Sequence, residues 1–375
     1  MIIIKTTQEL SDFCKKCASF NYVTLDTEFL RERTYYSKLC LIQMAYPGIA
    51  EDSAALIDPL SKDLSLSPLY DLFQNPDVVK VFHAARQDLE IFFVDEQILP
   101  KPFFDTQVAA MVCGFGEQVG YEKLVRAICN EGLDKSSRFT DWSARPLSSK
   151  QMEYAIGDVT YLRQIYEFLA KKIEKTGRQA WVEEELAILM DPETYVVDPK
   201  QAWRRVKTRS SSWKMLAVVS ELAEFRENYA QNRNIPRNRV YKDDCMMELA
   251  ATRPQNVEDL SKSRLLLREA RKGQIADGIL GAIKRASEYN PNDVERQVSI
   301  HEKPQGKEGL SELLRVLLKA KAEQFGVAPK LIATSSELDR IASGEDDLKT
   351  FNGWRNDVFG KDCLLYTSPS PRDSR

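Results

Sequence analysis

Every run of strand-forming residues that can be read from this chain lies in its first 82 positions. Tyr22–Phe29 alternates and is rich in β-formers, Leu39–Tyr46 follows, and Ala54–Asp58 ends at Pro59. Val78–Phe82 is short and, Lys80 apart, apolar, as a buried strand is. Helical periods occupy 67–74, 85–96, 105–113, 119–130 and 148–175, the last with Ser148 or Ser149 as its cap and Gln151 or Glu153 in its first turn. Thr6 or Thr7 caps a helix running to about 20, behind the apolar run at 2–4. From 213 onward only helical periods occur, broken near Pro236, Pro254 and 289–308. A chain written this way specifies one mixed sheet covered by helices, followed by small all-helical modules. Its 375 residues, 43% hydrophobic and 29% charged, are enough for two or three cores.

Several chemistries drop out early. There are two histidines, His83 and His301, too few for a His-rich zinc site. Cys14-x-x-Cys17 has no second pair and falls on a helical pattern, so it reads as ordinary helix positions. No P-loop spacing occurs, and Gly114-x-Gly116-x-x-x-Gly120 is not a dinucleotide fingerprint. No apolar stretch reaches the ~18 residues of a membrane span, no signal-peptide pattern opens the chain, and seven unevenly spaced cysteines form no disulfide framework. The expectation is a protein of the reducing cytoplasm with no membrane partner. The net charge of −3 is uneven. Residues 1–190 hold 21 basic and 28 acidic side chains, 191–300 hold 20 and 16, and 301–375 hold 12 and 12. An acidic first part suits a cation, and a basic middle suits a polyanion.

The acids stand at particular places. Asp26 and Glu28 are two apart on a strand, so they leave the same face. An acid at the end of a buried strand is costly unless it is paired or metal-bound. Asp88 comes just past the next apolar strand, and Tyr154 and Asp158 are four apart on one helix face. Should they converge, four carboxylates suit two hard divalent cations, Mg²⁺ or Mn²⁺, about 3.5–4 Å apart, the arrangement used in phosphoryl chemistry. Taken singly, each pair is a common surface or helix-face pattern.

These residues stand in longer strings. Leu25-Asp26-Thr27-Glu28-Phe29 with Arg31-Glu32-Arg33-Thr34-Tyr35-Tyr36 and Leu39-Cys40-Leu41-Ile42-Gln43 resembles the ribonuclease D family. So do Phe82-His83-Ala84-Ala85-x-x-Asp88-Leu89-Glu90, Phe104-Asp105-Thr106-Gln107, Thr140-Asp141-Trp142-x-x-Arg145-Pro146-Leu147 and Gln151-x-x-Tyr154-Ala155-x-x-Asp158. The resemblance runs in order over 1–190. It implies an α/β ribonuclease H-like fold and a 3′-5′ exoribonuclease of the tyrosine-bearing DEDD class, releasing nucleoside 5′-monophosphates. It also implies roles: Asp26, Glu28 and Asp158 at a first metal, Asp26 and Asp88 at a second, and Tyr154 positioning the attacking water. A free tyrosine, with a pKa near ~10, is a poor base at neutral pH, so the metal must activate the water.

Residues 213–290, after a linker at 191–212, resemble an HRDC domain through Leu222-Ala223-Glu224-Phe225-Arg226, Asn234-Ile235-Pro236-Arg237-Asn238-Arg239-Val240, Leu249-Ala250 and Pro254. Arg237, Arg239 and Lys242 are its candidate phosphate contacts. Residues 305–362 resemble a second, degenerate HRDC-like module. Residues 363–375 depart from the family and read as a non-native, disordered tail. Phe29 is a candidate to stack on a base. Gln43 and His83 either touch the terminal nucleotide or are buried polar groups with satisfied partners. Asp105 and Asp141 read as a helix cap and a structural ion pair. The reading is a monomeric enzyme that trims single-stranded 3′ ends of tRNA precursors and other structured RNAs by two-metal hydrolysis. The alternatives are a DNA 3′-5′ exonuclease of the proofreading or RecQ-helicase type, since RNA is told from DNA by 2′-OH contacts, and a non-catalytic RNA-binding protein.

Overall fold

The computed structural model of the chain describes residues 2–134, 140–208, 212–292, 294 and 306–367. They sort into two compact units. The first holds Met1–Glu28, Cys40–Asp191 and the described part of the C-terminal stretch, 306–367; the second holds Phe29–Leu39 and the described residues from Pro192 to 294.

The first unit is built on a six-stranded sheet of β1 (Ile2–Ile4), β2 (Tyr22–Leu30), β3 (Lys38–Ala45), β4 (Ala54–Ile57), β5 (Val79–Phe82) and β6 (Phe103–Asp105), in the order β1-β4-β3-β2-β5-β6. β1 is parallel to β4, β3 antiparallel to β4, and β2, β5 and β6 run parallel, with Tyr22, Val23 and Thr24 opposite Val79, Lys80 and Val81. The mixed sheet is as expected. The two three-residue edge strands, β1 and β6, are additions, too short to carry a period.

Local chemistry sets the helices. α1 (Thr7–Cys17) starts at a capping box: the Thr6 hydroxyl accepts from Glu9 N (3.3 Å), and Glu9 Oε2 accepts from Thr6 N (3.1 Å). Its buried face is Leu10, Phe13, Cys14 and Cys17, so the two cysteines are indeed core positions. α2 (Ser67–Phe73), α3 (Arg86–Glu96), α4 (Thr106–Val112) and α5 (Tyr121–Leu124) follow. The 28-residue α6 (Ser149–Thr176) opens on a second capping box, Ser148 with Gln151, and stops at Gly177, whose φ of 65° ends the helix. It turns Ala155, Asp158, Val159, Leu162, Ile165, Leu169 and Ile173 inward. Val159 packs on Ala45 and Ala54 of the sheet, and the Thr24 hydroxyl donates to Val159 O (2.8 Å).

α7 (Gln179–Leu189) then meets the C-terminal stretch. That stretch forms α13 (Glu308–Phe325), α14 (Pro329–Ile332), α15 (Ser335–Ser343), α16 (Gly353–Arg355) and α17 (Lys361–Thr367); the five α-helices described between Leu189 and Glu308, α8 (Trp213–Arg233) to α12 (Gly273–Ser287), belong to the second unit. Leu314, Leu318, Ile332, Trp354 and Phe359 share one core with Ala109, Leu169, Ile173 and Val182. Trp181 and Trp354 stack at 4.4 Å and 14°, and the buried Arg355 bonds Glu184, Glu185 and Leu331 O. Residues 305–362 are therefore not a separate domain, because their apolar face is completed by α4, α6 and α7. The proposed tail boundary also shifts: α17 runs to Thr367 and Cys363 is fully buried, so helix and core continue past 362. The remainder, 368–375, lies outside the described residues.

The second unit is all-helical apart from its extended segment, 29–39. α8 (Trp213–Arg233), α9 (Arg237–Val240), α10 (Asp243–Thr252), α11 (Val257–Ser261) and α12 (Gly273–Ser287) enclose Val219, Leu222, Val240, Met246, Leu249 and Ile279. The expected linker at 191–212 is partly structured. Asp198 caps a tight helical turn at Pro199–Arg205, and Trp203 is buried in the same core as α8. A tryptophan that finds an apolar pocket fixes its segment, whatever turn-forming residues surround it.

Candidate active site

Asp26 and Glu28 lie where β2 has run past its pairing with β5, whose last residue is Phe82. Thr24, on the same face two residues earlier, bonds the backbone of α6, so that face is the one α6 covers. Asp158 comes down from α6, and one carboxylate oxygen from each of Asp26, Glu28 and Asp158 lies within 4.8 Å of the others. Asp26 and Glu28 are half-buried and Asp158 is 8% exposed.

Asp88 is buried in the first turn of α3, where the partial positive charge of the helix end favours an anion. The Thr27 hydroxyl donates to its Oδ1. Burial nevertheless pushes the Asp88 carboxyl up to about 7, against the downward pull of Thr27. Asp26 is driven well above the ordinary carboxylate range by burial, then by the charges of Asp158, Asp88 and Glu28. Acids buried this close together are stable as anions only with positive charge among them. Clustered hard oxygen donors are the set that divalent cations of the Mg²⁺ or Mn²⁺ type take. The residues present fit such ions.

The turn that delivers Asp88 is held by Asp105. Its carboxylate caps α4 through Gln107 N (2.7 Å) and Val108 N (3.3 Å), and also accepts from Ala84 N (3.1 Å) and Ala85 N (2.8 Å). Ala84 takes a left-handed φ of 58° there, and Asp105 secures the two N–H groups that this turn leaves over. Asp141 accepts from Ser143 N and Oγ in a turn, while the neighbouring Arg145 forms a forked pair with Asp58 (2.7 and 2.8 Å).

Tyr154 precedes Asp158 by one helical turn, is half-buried, and lies 6.1 Å from Trp142 ring to ring. His83 Nδ1 is 3.0 Å from the Thr106 hydroxyl, and its Nε2 is buried without a hydrogen-bond partner among the described residues. Gln43 is fully buried, and neither of its amide atoms has a partner among the described residues. His83 is thus partnered at one ring nitrogen, whereas Gln43 is partnered at neither amide atom among the described residues. Phe29 is half-buried and belongs to the second unit. There, Arg237 and Lys242 line a cavity of about 290 Å³ with Arg226, Asn238, Asp243 and Asp244, and Arg239 is exposed. Arg237 is also engaged by Glu227 at 3.5 Å.

Two residues beside the acids went unread in the sequence. Thr27 bonds Asp88, and its signal was only its place between two acids. Tyr121 donates to Gly157 O (3.0 Å), next to Asp158, with its ring 5.5 Å from His83. Burial and the charges of Asp158 and Asp26 hold its hydroxyl well above its usual pKa.

Comparison with known proteins agrees with this architecture. Residues 1–174 match a 3′-5′ exonuclease family model and 215–283 match the HRDC domain. The chain is 58% identical over 361 residues to ribonuclease D of Jannaschia sp. (strain CCS1), covering 96% of this chain and 94% of that one. It is 44% identical over 368 residues to ribonuclease D of Granulibacter bethesdensis, covering 96% and 91%. The crystal structure of Escherichia coli RNase D, described as an exoribonuclease involved in structured RNA processing, superposes with a TM-score of 0.83 at 28% identity, over 98% of this chain and 99% of that one.

Proposed function

We propose a substrate and a division of labour on one premise: the chain belongs to the ribonuclease D family. It is a 3′-5′ exoribonuclease, a hydrolase of phosphodiester bonds, and its fold implies divalent metal use. The proposed substrate is RNA with a single-stranded 3′ end, tRNA precursors among them. The proposed products are nucleoside 5′-monophosphates, and the proposed state is a cytoplasmic monomer. Among the described residues no helix is long and apolar enough to cross a membrane.

Asp26, Glu28 and Asp158 would hold one divalent ion, and Asp26 with Asp88 a second. The observation that carries this reading is the convergence of the first three acids within 4.8 Å. When bound, such ions supply charge neutralisation at the phosphate and lower the pKa of water. Thr27 fixes Asp88 through its hydroxyl. Tyr121 braces α6 beside Asp158. Tyr154, on the same helix face as Asp158, positions the attacking water for in-line displacement at phosphorus. His83, Gln43 and Phe29 are assigned to the terminal nucleotides. Arg237, Arg239 and Lys242 are assigned to backbone phosphates, where each contact adds to the salt dependence of binding.

The test uses a 5′-labelled RNA hairpin with a single-stranded 3′ tail, incubated with Mg²⁺, Mn²⁺ or EDTA beside a matched DNA. The expected result is a ladder shortening from the 3′ end, stopping near the stem, lost in EDTA and weaker on DNA. Shortening that is unaffected by EDTA would refute the metal reading, and equal rates on DNA would refute the substrate.

A further inference from the structure

Residues 29–39 connect two neighbouring strands of the sheet, yet they fold with the helical unit. The chain crosses from one unit to the other between Glu28 and Phe29, directly after a carboxylate of the acidic cluster, and returns between Leu39 and Cys40.

A set of polar contacts holds the excursion. Asn234 ends α8 in the left-handed conformation, at φ 49°, and its Oδ1 accepts from the backbone N–H of both Tyr35 and Tyr36, each at 3.0 Å. The Tyr35 hydroxyl donates to Glu227 Oε1 and accepts from Gln231 Nε2 (3.2 Å). Glu227 is 1% exposed, so this bond ties the segment to a buried anion. The Arg237 guanidinium lies 5.7 Å from the centre of the Tyr35 ring and 3.5 Å from the Glu227 carboxylate. Tyr36 packs edge-on against Tyr35 at 4.8 Å.

On its β5 side the sheet does not hold the end of β2. The register of β2 with β5 covers Tyr22, Val23 and Thr24 only, so Asp26 to Leu30 have lost that neighbour. A ligand carboxylate must be held to within about 0.5 Å, which a strand end bonded along one edge does not achieve unaided. We propose that Tyr35, Asn234 and Glu227 form a clasp that positions Glu28, so that the helical unit sets the geometry of the acidic cluster through the eleven residues it has captured. The three act as positioning residues. The proposal rests on the reading of Glu28 as a metal ligand.

The experiment uses the full chain and Mn²⁺ alone. Mn²⁺ affinity is measured by calorimetry for the parent, Tyr35→Phe, the Tyr35→Phe/Asn234→Ala double variant and Glu28→Gln, with circular dichroism confirming each fold. Turnover of a 5′-phosphorylated ribodinucleotide is followed in parallel. The double variant is expected to bind Mn²⁺ about tenfold more weakly, as loss of an outer-shell support does. Its kcat on the dinucleotide falls while KM changes little. Tyr35→Phe shifts both quantities in the same direction and decides the matter if the double variant fails to fold. Mn²⁺ affinity within twofold of the parent in folded clasp variants, with Glu28→Gln weakened, overturns the clasp alone. Parent-like affinity in Glu28→Gln overturns the ligand reading, and the clasp with it.

Discussion

Arg355 is the most informative single target for stability. Its side chain is 2% exposed and lies between Glu185, 7% exposed, and Glu184, 43% exposed, while its Nε donates to the Leu331 carbonyl at 2.8 Å. These contacts join α16 to α7 and α14, elements of the core that 306–367 shares with the sheet-covering helices. In Arg355→Met, Glu184 returns to water at little loss. Glu185 stays buried as an uncompensated anion, and the Leu331 carbonyl loses its donor. Breaking a buried pair from one side costs about 3–5 kcal/mol, because the remaining charge keeps its desolvation penalty. Removing both charges in Arg355→Met/Glu185→Leu restores stability to within about 1 kcal/mol of the parent, a recovery of roughly 3 kcal/mol over the single variant. Urea unfolding followed by tryptophan fluorescence measures this directly. Trp181 and Trp354, stacked at 4.4 Å in the same contact, report its loss. A single variant within about 1 kcal/mol of the parent, or a double variant no more stable than the single, would refute the reasoning.

Two further outcomes follow from the same structure. Asp26→Asn should abolish 3′-end shortening while raising the melting temperature of the metal-free protein, because it removes the acid on which burial, Asp158, Asp88 and Glu28 all press; full-rate turnover in this variant would sink the site assignment. Asp58 is pushed up by burial, but the forked bond and charge of Arg145 outweigh this and leave its carboxyl below the usual range. A depressed carboxyl contributes stability above its unfolded pKa, and that contribution is lost as pH falls through the folded value. Asp58→Asn should therefore cost about 2 kcal/mol at pH 7, and the gap to the parent should close below about pH 4. A gap that is constant from pH 7 to pH 3 would contradict the sign.

The parts of this architecture that were legible in the sequence are those carried by local periodicity and caps. The Thr6–Glu9 and Ser148–Gln151 boxes mark their helix starts, and β2 to β5 lie within a residue or so of where alternation and apolar runs put them. Contact between distant segments was not legible. Phe29–Leu39 sits inside the exonuclease sequence but takes its partners from Glu227, Gln231 and Asn234, about 200 positions away. The face of α13 shows that it needs a partner without naming α4, α6 and α7. At the site, the acids were found because buried acids on strand ends are conspicuous. Tyr121 was missed because a tyrosine in a short helix is unremarkable until its hydroxyl is seen beside Asp158.

The core shared by α4, α6 and α7 with residues 306–367 has a consequence for biosynthesis. Leu169, Ile173 and Val182 leave the ribosome well over a hundred residues before Leu314, Ile332 and Phe359, the side chains that cover them. At about 5–20 residues per second, the nascent catalytic half carries an uncovered apolar face for on the order of ten seconds. During that interval the whole helical unit must also be made, and Tyr35 waits for Glu227 and Asn234. The apolar face of the nuclease half is thus completed only once residues 306–367 have been made, and until then it is open to non-native association.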